Sequence, residues 1–124
     1  MNKITKAYKI VKNNVFFDTI KDYGYYREKG IIQLSTSEQL ENILNKKYKD
    51  DPVDLLLLCV SLKKNCLNEN IDGLEWSFYH KESKMCPHIN GNIYMFNILW
   101  YNDLKYVGNK FIMPSIYYET LMDY

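Results

Sequence analysis

The chain predicts an α+β fold of many short strands and two or three helices. Three observations carry this. Residues 53–61 form a nearly unbroken apolar run of strand length, as expected of a central strand buried on both faces. Leu40, Ile43 and Leu44 recur at helical spacing just behind Thr36 and Gln39, which match the two ends of a capping box. Elsewhere, short apolar segments are bounded by Gly, Asn and Pro, the punctuation of strands and loops.

Taken in order, residues 7–11 predict a first strand. Asn13 and Asn14 offer caps for a helix through about Tyr23, with Val15, Phe16 and Ile20 on one side. Gly24 and Gly30 bracket a polar, Tyr-rich loop, and residues 31–34 read as a second strand. The capping box starts a helix near Ser37 that ends in the polar stretch 46–51, before the break at Pro52. After the central strand come a loop at 65–73, a strand at 74–79 and a second long connection at 81–92. Residues 98–101 predict a late strand, Gly108-Asn109 a turn, and 111–113 an edge strand ahead of Pro114. Ser115 caps a short terminal helix carrying Tyr117, Tyr118 and Leu121. No repeat or linker divides the chain, so a single domain over residues 1–124 is expected.

Composition narrows the function classes. With 16 basic and 15 acidic residues the net charge is +1, which leaves no global field to attract nucleic acid or an acidic membrane. Arg27 is the only arginine, which excludes a phosphate site built from several guanidinium forks. Cys59, Cys66 and Cys86 are odd in number and form no CxxC, which argues against a disulfide framework or a zinc site and fits a reducing cytosol. The longest apolar run, 55–60, is too short to span a bilayer, and the first residues lack the apolar core of a secretory signal. A soluble, cytoplasmic protein is expected. No P-loop, GxGxxG, GxSxG or HExxH pattern occurs.

Two polar signatures set in apolar sequence carry the candidate chemistry. In the first, Gln33 follows Ile31-Ile32 and precedes Leu34-Ser35-Thr36-Ser37-Glu38-Gln39. With Ile32 and Leu34 facing the core, Gln33 faces the other way. At Ser35-Thr36-Ser37 a strand hands over to a helix, where unpaired N–H groups and hydroxyls suit an anion or a ribose, or serve as plain caps. The second signature is Cys86-Pro87-His88-Ile89-Asn90-Gly91. His88 there is a proton donor or phosphate partner, or a structural imidazole bonded to backbone carbonyls. Glu75 beside Trp76 is a candidate acid/base, or a solvated carboxylate beside a core Trp. His80 reads as solvated, Cys66 as an exposed thiol with no activating neighbour, and Cys86-x-His88 as too few ligands for a metal. Tyr25, Tyr26, Tyr94, Tyr101, Tyr117 and Tyr118 form a stacking surface or pack at core edges.

On these motifs the chain resembles the bacterial "domain of unknown function 952" family, whose typical pattern is Y-K-I-V, then G-F-I-H-L-S-T-x-E-Q, a buried strand, W-E, and F-P-H-I-Y-G-P-L. The corresponding stretches are Tyr8-Lys9-Ile10-Val11, Gly30 through Gln39, the apolar run at 53–61, Trp76, and Cys86 through Gly91, and the resemblance covers about residues 7–104. It implies a compact ADP-ribosyltransferase-like fold, with small mixed sheets around a cleft that holds NAD in active relatives. There a Ser-Thr-Ser segment like Ser35-Thr36-Ser37 positions the nicotinamide ribose. The resemblance suggests Lys9, Gln33, Ser35, Thr36, Gln39, Trp76, His88 and Asn90 as ligand contacts, with His88 and Glu75 as the catalytic candidates. This chain departs from the pattern at several places. The family His is Gln33, which keeps hydrogen bonding but cannot shuttle a proton near neutral pH. The acid after the Trp is Ser77, whose strand face Glu75 shares. Asn90 and Asn92 replace the Tyr and Pro around Gly91, and residues 105–124 extend past the resemblance.

The expected function is therefore binding of NAD, ADP-ribose or a related phosphorylated nucleoside, with the chemistry altered or lost. The alternatives are an active NAD- or nucleotide-dependent transferase, and a protein-interaction module using the Tyr-rich face or the extension, where residues 111–114 add an edge strand to a partner.

Overall fold

The computed structural model describes residues 4–64, 69–79 and 84–122. Along the chain run β1 (Lys6–Lys12), α1 (Asn13–Tyr23), β2 (Tyr25–Tyr26), β3 (Ile32–Gln33), α2 (Ser37–Ile43), β4 (Leu55–Ser61), β5 (Leu74–Tyr79), β6 (Lys84–Ile89), β7 (Ile93–Tyr94), β8 (Ile98–Val107), β9 (Lys110–Ile112) and α3 (Ser115–Leu121). The strands make a four-stranded sheet, β1-β4-β8-β9, a two-stranded ribbon, β2-β7, and a three-stranded sheet, β3-β6-β5.

The continuous apolar run becomes β4 because both faces of the four-stranded sheet are covered. Its alternate residues Leu56, Leu58 and Val60 meet Ala7, Val11, Phe16, Tyr26, Ile32, Ile89 and Ile93 on one side. Leu55, Leu57 and Cys59 meet Tyr8, Ile10, Leu40, Leu44, Leu104, Met113 and Tyr117 on the other. The first layer is closed by α1 and the three-stranded sheet. The second is closed by α2, the turn after it, and α3. Residues past 104 thus belong to the second core, where Met113 and Tyr117 are buried and Trp100 Nε1 donates to Thr120 Oγ1 at 2.8 Å.

Several expectations change. The pairings among the described residues are all antiparallel, so the sheets are not mixed. The connection expected at 81–92 contains β6, which is the middle strand of its sheet. Pro87 hid it, since proline cannot donate to a ladder. Here Pro87 only accepts, from the Leu34 N–H at 3.0 Å, so one ladder bond is forfeited and the strand persists. The Tyr-rich loop after Gly24 contains β2. In α1, Phe16 is buried but Val15 is exposed. Beyond α2 the chain continues as a π-helical turn, Leu44–Tyr48. Pro114, with its extended backbone, occupies the N-cap of α3, and Ser115 is the first helical residue. The Gly108-Asn109 turn holds: Val107 pairs with Lys110, and both turn residues have positive φ, 58° and 62°.

Gly73 opens β5 under a tighter constraint. Its φ is +81°, and a Cβ there would lie 2.4 Å from the Asn90 carbonyl oxygen, while the Asn90 N–H donates back to the Gly73 carbonyl at 2.8 Å.

Three stability measurements follow from this packing. Leu57→Ala removes a fully buried side chain from the central strand and costs about 3 kcal/mol in chemical denaturation. Gly73→Ala meets both the left-handed backbone and the Asn90 carbonyl, and costs about 2 kcal/mol or more. Cys59 faces Tyr8 across the β1–β4 ladder. Burial pushes its thiol from 9.0 up to about 11, and burial first, then Cys59, raises the Tyr8 phenol. Both groups ionise more readily in the unfolded chain, so the Cys59 contribution is complete below pH 9 and is lost as pH rises to about 11, while that of Tyr8 starts to be lost above pH 10 and continues past the Cys59 window. Tm is expected to hold steady through neutral pH and to fall across that alkaline window; a flat profile there would refute the burial argument.

Candidate functional site

Successive residues of an antiparallel strand turn their backbone groups to alternate sides. The Leu62 N–H donates to the Thr5 carbonyl at 2.8 Å, which sets the phase of β1: Ala7, Lys9 and Val11 turn toward β4, and Tyr8 and Ile10 toward the open edge. Along β3 the Leu34 N–H bonds Pro87, so Gln33 and Ser35 turn toward β1. Tyr8 and Ser35 exchange two N–H···O bonds of 2.8 Å each, as an isolated antiparallel bridge. The next rung of such a ladder would join Ile10 to Gln33. Instead the strands part, and a hollow lies in its place. It measures about 620 Å³ with its open mouth included, of which about 90 Å³ is available to the centre of a water-sized group.

The walls of this wedge come from both sheets and from the turn after α2. Tyr8, Lys9 and Ile10 form one side, Gln33, Leu34 and Ser35 the other, and Tyr48 and Cys86 also line it. Lys9 is only 15 % exposed at its side chain, and its Nζ lies 3.0 Å from Glu28 Oε2. The Tyr26 hydroxyl donates to the same carboxylate oxygen. Burial, then the Glu28 hydrogen bond and charge, raises the Tyr26 phenol above its ordinary range. Tyr48 is raised as well, by burial and then by the Glu28 charge, and its hydroxyl donates to the Ile10 carbonyl at 3.4 Å. Lys47 stands exposed on the wall.

Of the residues expected to contact ligand, Lys9, Gln33 and Ser35 meet in the wedge. Ile32 and Leu34 are buried, and Gln33 faces away from their core as its alternation requires. Thr36 and Gln39 are buried and form the capping box of α2, with the Thr36 N–H on Gln39 Oε1 at 3.1 Å. Gln39 Nε2 also donates to the Met85 carbonyl at 3.3 Å and lies 3.2 Å from Cys86 Sγ, so this side chain clamps α2 to β6. The expectation of unpaired N–H groups at this handover is corrected for Leu34, Ser35 and Thr36, whose amides are taken by Pro87, Tyr8 and Gln39.

Strand pairing joins the two signatures. Gln33 stands opposite His88, and His88 opposite Glu75, so the three form one row on one face of β3-β6-β5. His88 Nδ1 lies 3.2 Å from Ser77 Oγ, and Nε2 lies 3.6 Å from Glu75 Oε1, with the imidazole side chain 12 % exposed. Cys86, two residues before His88 on the same face, reaches the wedge wall, but His88 does not. His88 is therefore a strand residue beside the wedge, rather than a loop residue over it. Glu75 is exposed. Trp76 lies opposite Pro87 on the other face and is also exposed, so it is neither core nor part of the wedge. Asn90 borders a separate hollow with Gly91, Asn92 and Tyr94. His80 and Cys66 lie outside the described residues. Among the described residues no three His, Cys, Asp or Glu side chains gather as a metal site, and no helix is long and apolar enough to cross a membrane.

Sequence reasoning missed Tyr8, Ile10, Tyr48 and Glu28. For Tyr48 a signal existed: Leu40, Leu44 and Tyr48 continue one helical row into the stretch expected to end the helix.

A search among curated proteins finds no match. Among solved structures, the crystal structure of protein CC0527 from Caulobacter crescentus is similar with a TM-score of 0.69 at 23 % identity, covering 86 % of this chain and 92 % of that one. The solution NMR structure of CC0527 gives a TM-score of 0.68 at 21 % identity, covering 97 % of this chain and 100 % of that one. These likenesses show a shared α+β fold. A family model described as "Protein of unknown function (DUF952)" matches residues 14–101, and the chain belongs to that family.

Proposed function

We propose that this protein is a ligand-binding domain whose wedge takes the polar end of NAD, ADP-ribose or a related phosphorylated nucleoside, without turning it over. The missing rung between Ile10 and Gln33 carries this reading. Two strand edges and the Gln33 side-chain amide converge on a hollow where a planar amide or a hydroxylated ring supplies the hydrogen bonds that the parted strands do not make to each other. The available space admits only a few heavy atoms, so the rest of a dinucleotide lies outside, over the mouth with its exposed Lys47. The ADP-ribosyltransferase-like description of the fold is part of the same proposal, supported by antiparallel sheets that diverge around a hollow just past Ser35.

Binding without turnover is favoured by the groups present. Gln33 stands where the family pattern has His, and Lys9 is already paired with Glu28. One observation favours the transferase alternative: His88 between Ser77 and Glu75 has the neighbours of a general acid–base residue. Labelled NAD separates the two. Turnover that disappears in His88→Ala would establish the transferase.

Calorimetric titration with NAD, ADP-ribose, nicotinamide and AMP tests the wedge. At least one is expected to bind, and Gln33→Leu is expected to weaken it about tenfold, ~1.4 kcal/mol. Silence from the whole panel at millimolar concentration, or an unchanged Kd in Gln33→Leu, rejects the proposal.

A further inference from the structure

A second hollow, of about 970 Å³ with its open mouth included, opens past the C-terminal end of β6 and has no part in the wedge. Asp72, Asn90, Asn92, Tyr94, Phe96 and Asn97 line it. Asn97 belongs to the 3₁₀ turn Met95–Asn97 and is only 7 % exposed. Its side-chain amide makes no hydrogen bond to any described residue, and its polar atoms open onto the hollow. An amide so far withdrawn from water normally has a protein partner. Here the amide reaches the hollow instead, where water or a bound ligand completes its hydrogen bonding.

The remaining walls specify that group. Phe96 is 72 % exposed, and its ring stacks on Tyr94 with centroids 5.6 Å apart and planes 3° apart. Tyr25 supports Tyr94 edge-on at 5.4 Å. The result is a flat apolar plate at the edge of a polar hollow. Among the described residues the only cation on the wall is Lys64, and Asp72 holds it at 2.8 Å, so these two charges cancel locally and do not select a phosphate. Three asparagine amides remain, each offering a carbonyl acceptor and two N–H donors. Adjacent hydroxyls on a ring need that mixture, because each donates once and accepts at the same time. The weakly positive C–H face of a sugar also complements the negative face of an aromatic ring.

We infer that this hollow binds a neutral sugar ring, stacked on Phe96 and hydrogen-bonded to Asn90, Asn92 and Asn97. The site shares no lining residue with the wedge and stands or falls separately.

The test is an NMR titration of the isotope-labelled full chain with glucose, galactose, N-acetylglucosamine and ribose, beside the nucleosides adenosine and uridine. At least one sugar is expected to shift the Asn97 side-chain amide and Phe96 ring resonances while leaving those of Gln33 in place. Phe96→Ala removes an exposed ring, so the spectrum keeps its dispersion and the affinity falls about tenfold. Asn90→Ala, also at an exposed position, is expected to weaken binding in the same direction. The inference is overturned if no sugar moves these resonances at tens of millimolar, if Phe96→Ala binds as tightly as the parent, or if only the nucleosides move them.

Discussion

Two hydrogen bonds between Tyr8 and Ser35 hold the four-stranded sheet to the three-stranded one, and the wedge exists because the ladder stops there. A second rung would fill the hollow with backbone. With no rung at all, only the packing of Ile32 and Leu34 in the first core would hold β3 relative to β1, with no register between their backbones. The bridge therefore sets how far Gln33 stands from Ile10. It is itself pinned on both sides: Tyr8 lies in the second core, and Thr36, next to Ser35, begins the capped helix.

Gln39 extends that restraint to β6. One side chain caps α2 through its oxygen and reaches Met85 and Cys86 through its nitrogen. A residue that the family pattern presents as part of a polar signature thus acts as a brace, fully engaged inside the protein. Thr36 shares that role. The distinction matters for reading polar motifs at strand-to-helix junctions: the hydroxyls and amides that look available in sequence are the ones the junction itself uses first. What remains for a ligand is the strand edge just before the junction.

How much of this was legible depended on whether the signal was local. β4 could be read from its apolar run, α2 from its capping box, and the outward side of Gln33 from the alternation around it. β6 could not, because Pro87 interrupts the pattern and its neighbours Lys84, Met85 and Cys86 do not alternate; pairing on both sides by β3 and β5 sustains it. The row from Gln33 through His88 to Glu75 depends on register between segments far apart in sequence. The wedge depends on two strands failing to stay together, which leaves no mark on either one. Glu28 was invisible for a similar reason: its partners Lys9 and Tyr26 lie on different sheets.

The double-sided burial of β4 has a consequence for how the chain is made. Leu55 through Val60 is the kind of uncharged, β-prone hexamer that seeds intermolecular sheets when left bare. β1 is already synthesised when this hexamer emerges from the ribosome, but β8, which covers its other edge, follows some forty residues later. Until then the nascent strand has an open flank. Asp50, Asp51 and Asp54 on one side, and Lys63 and Lys64 on the other, bracket the hexamer with charge and act as gatekeepers against aggregation during that interval.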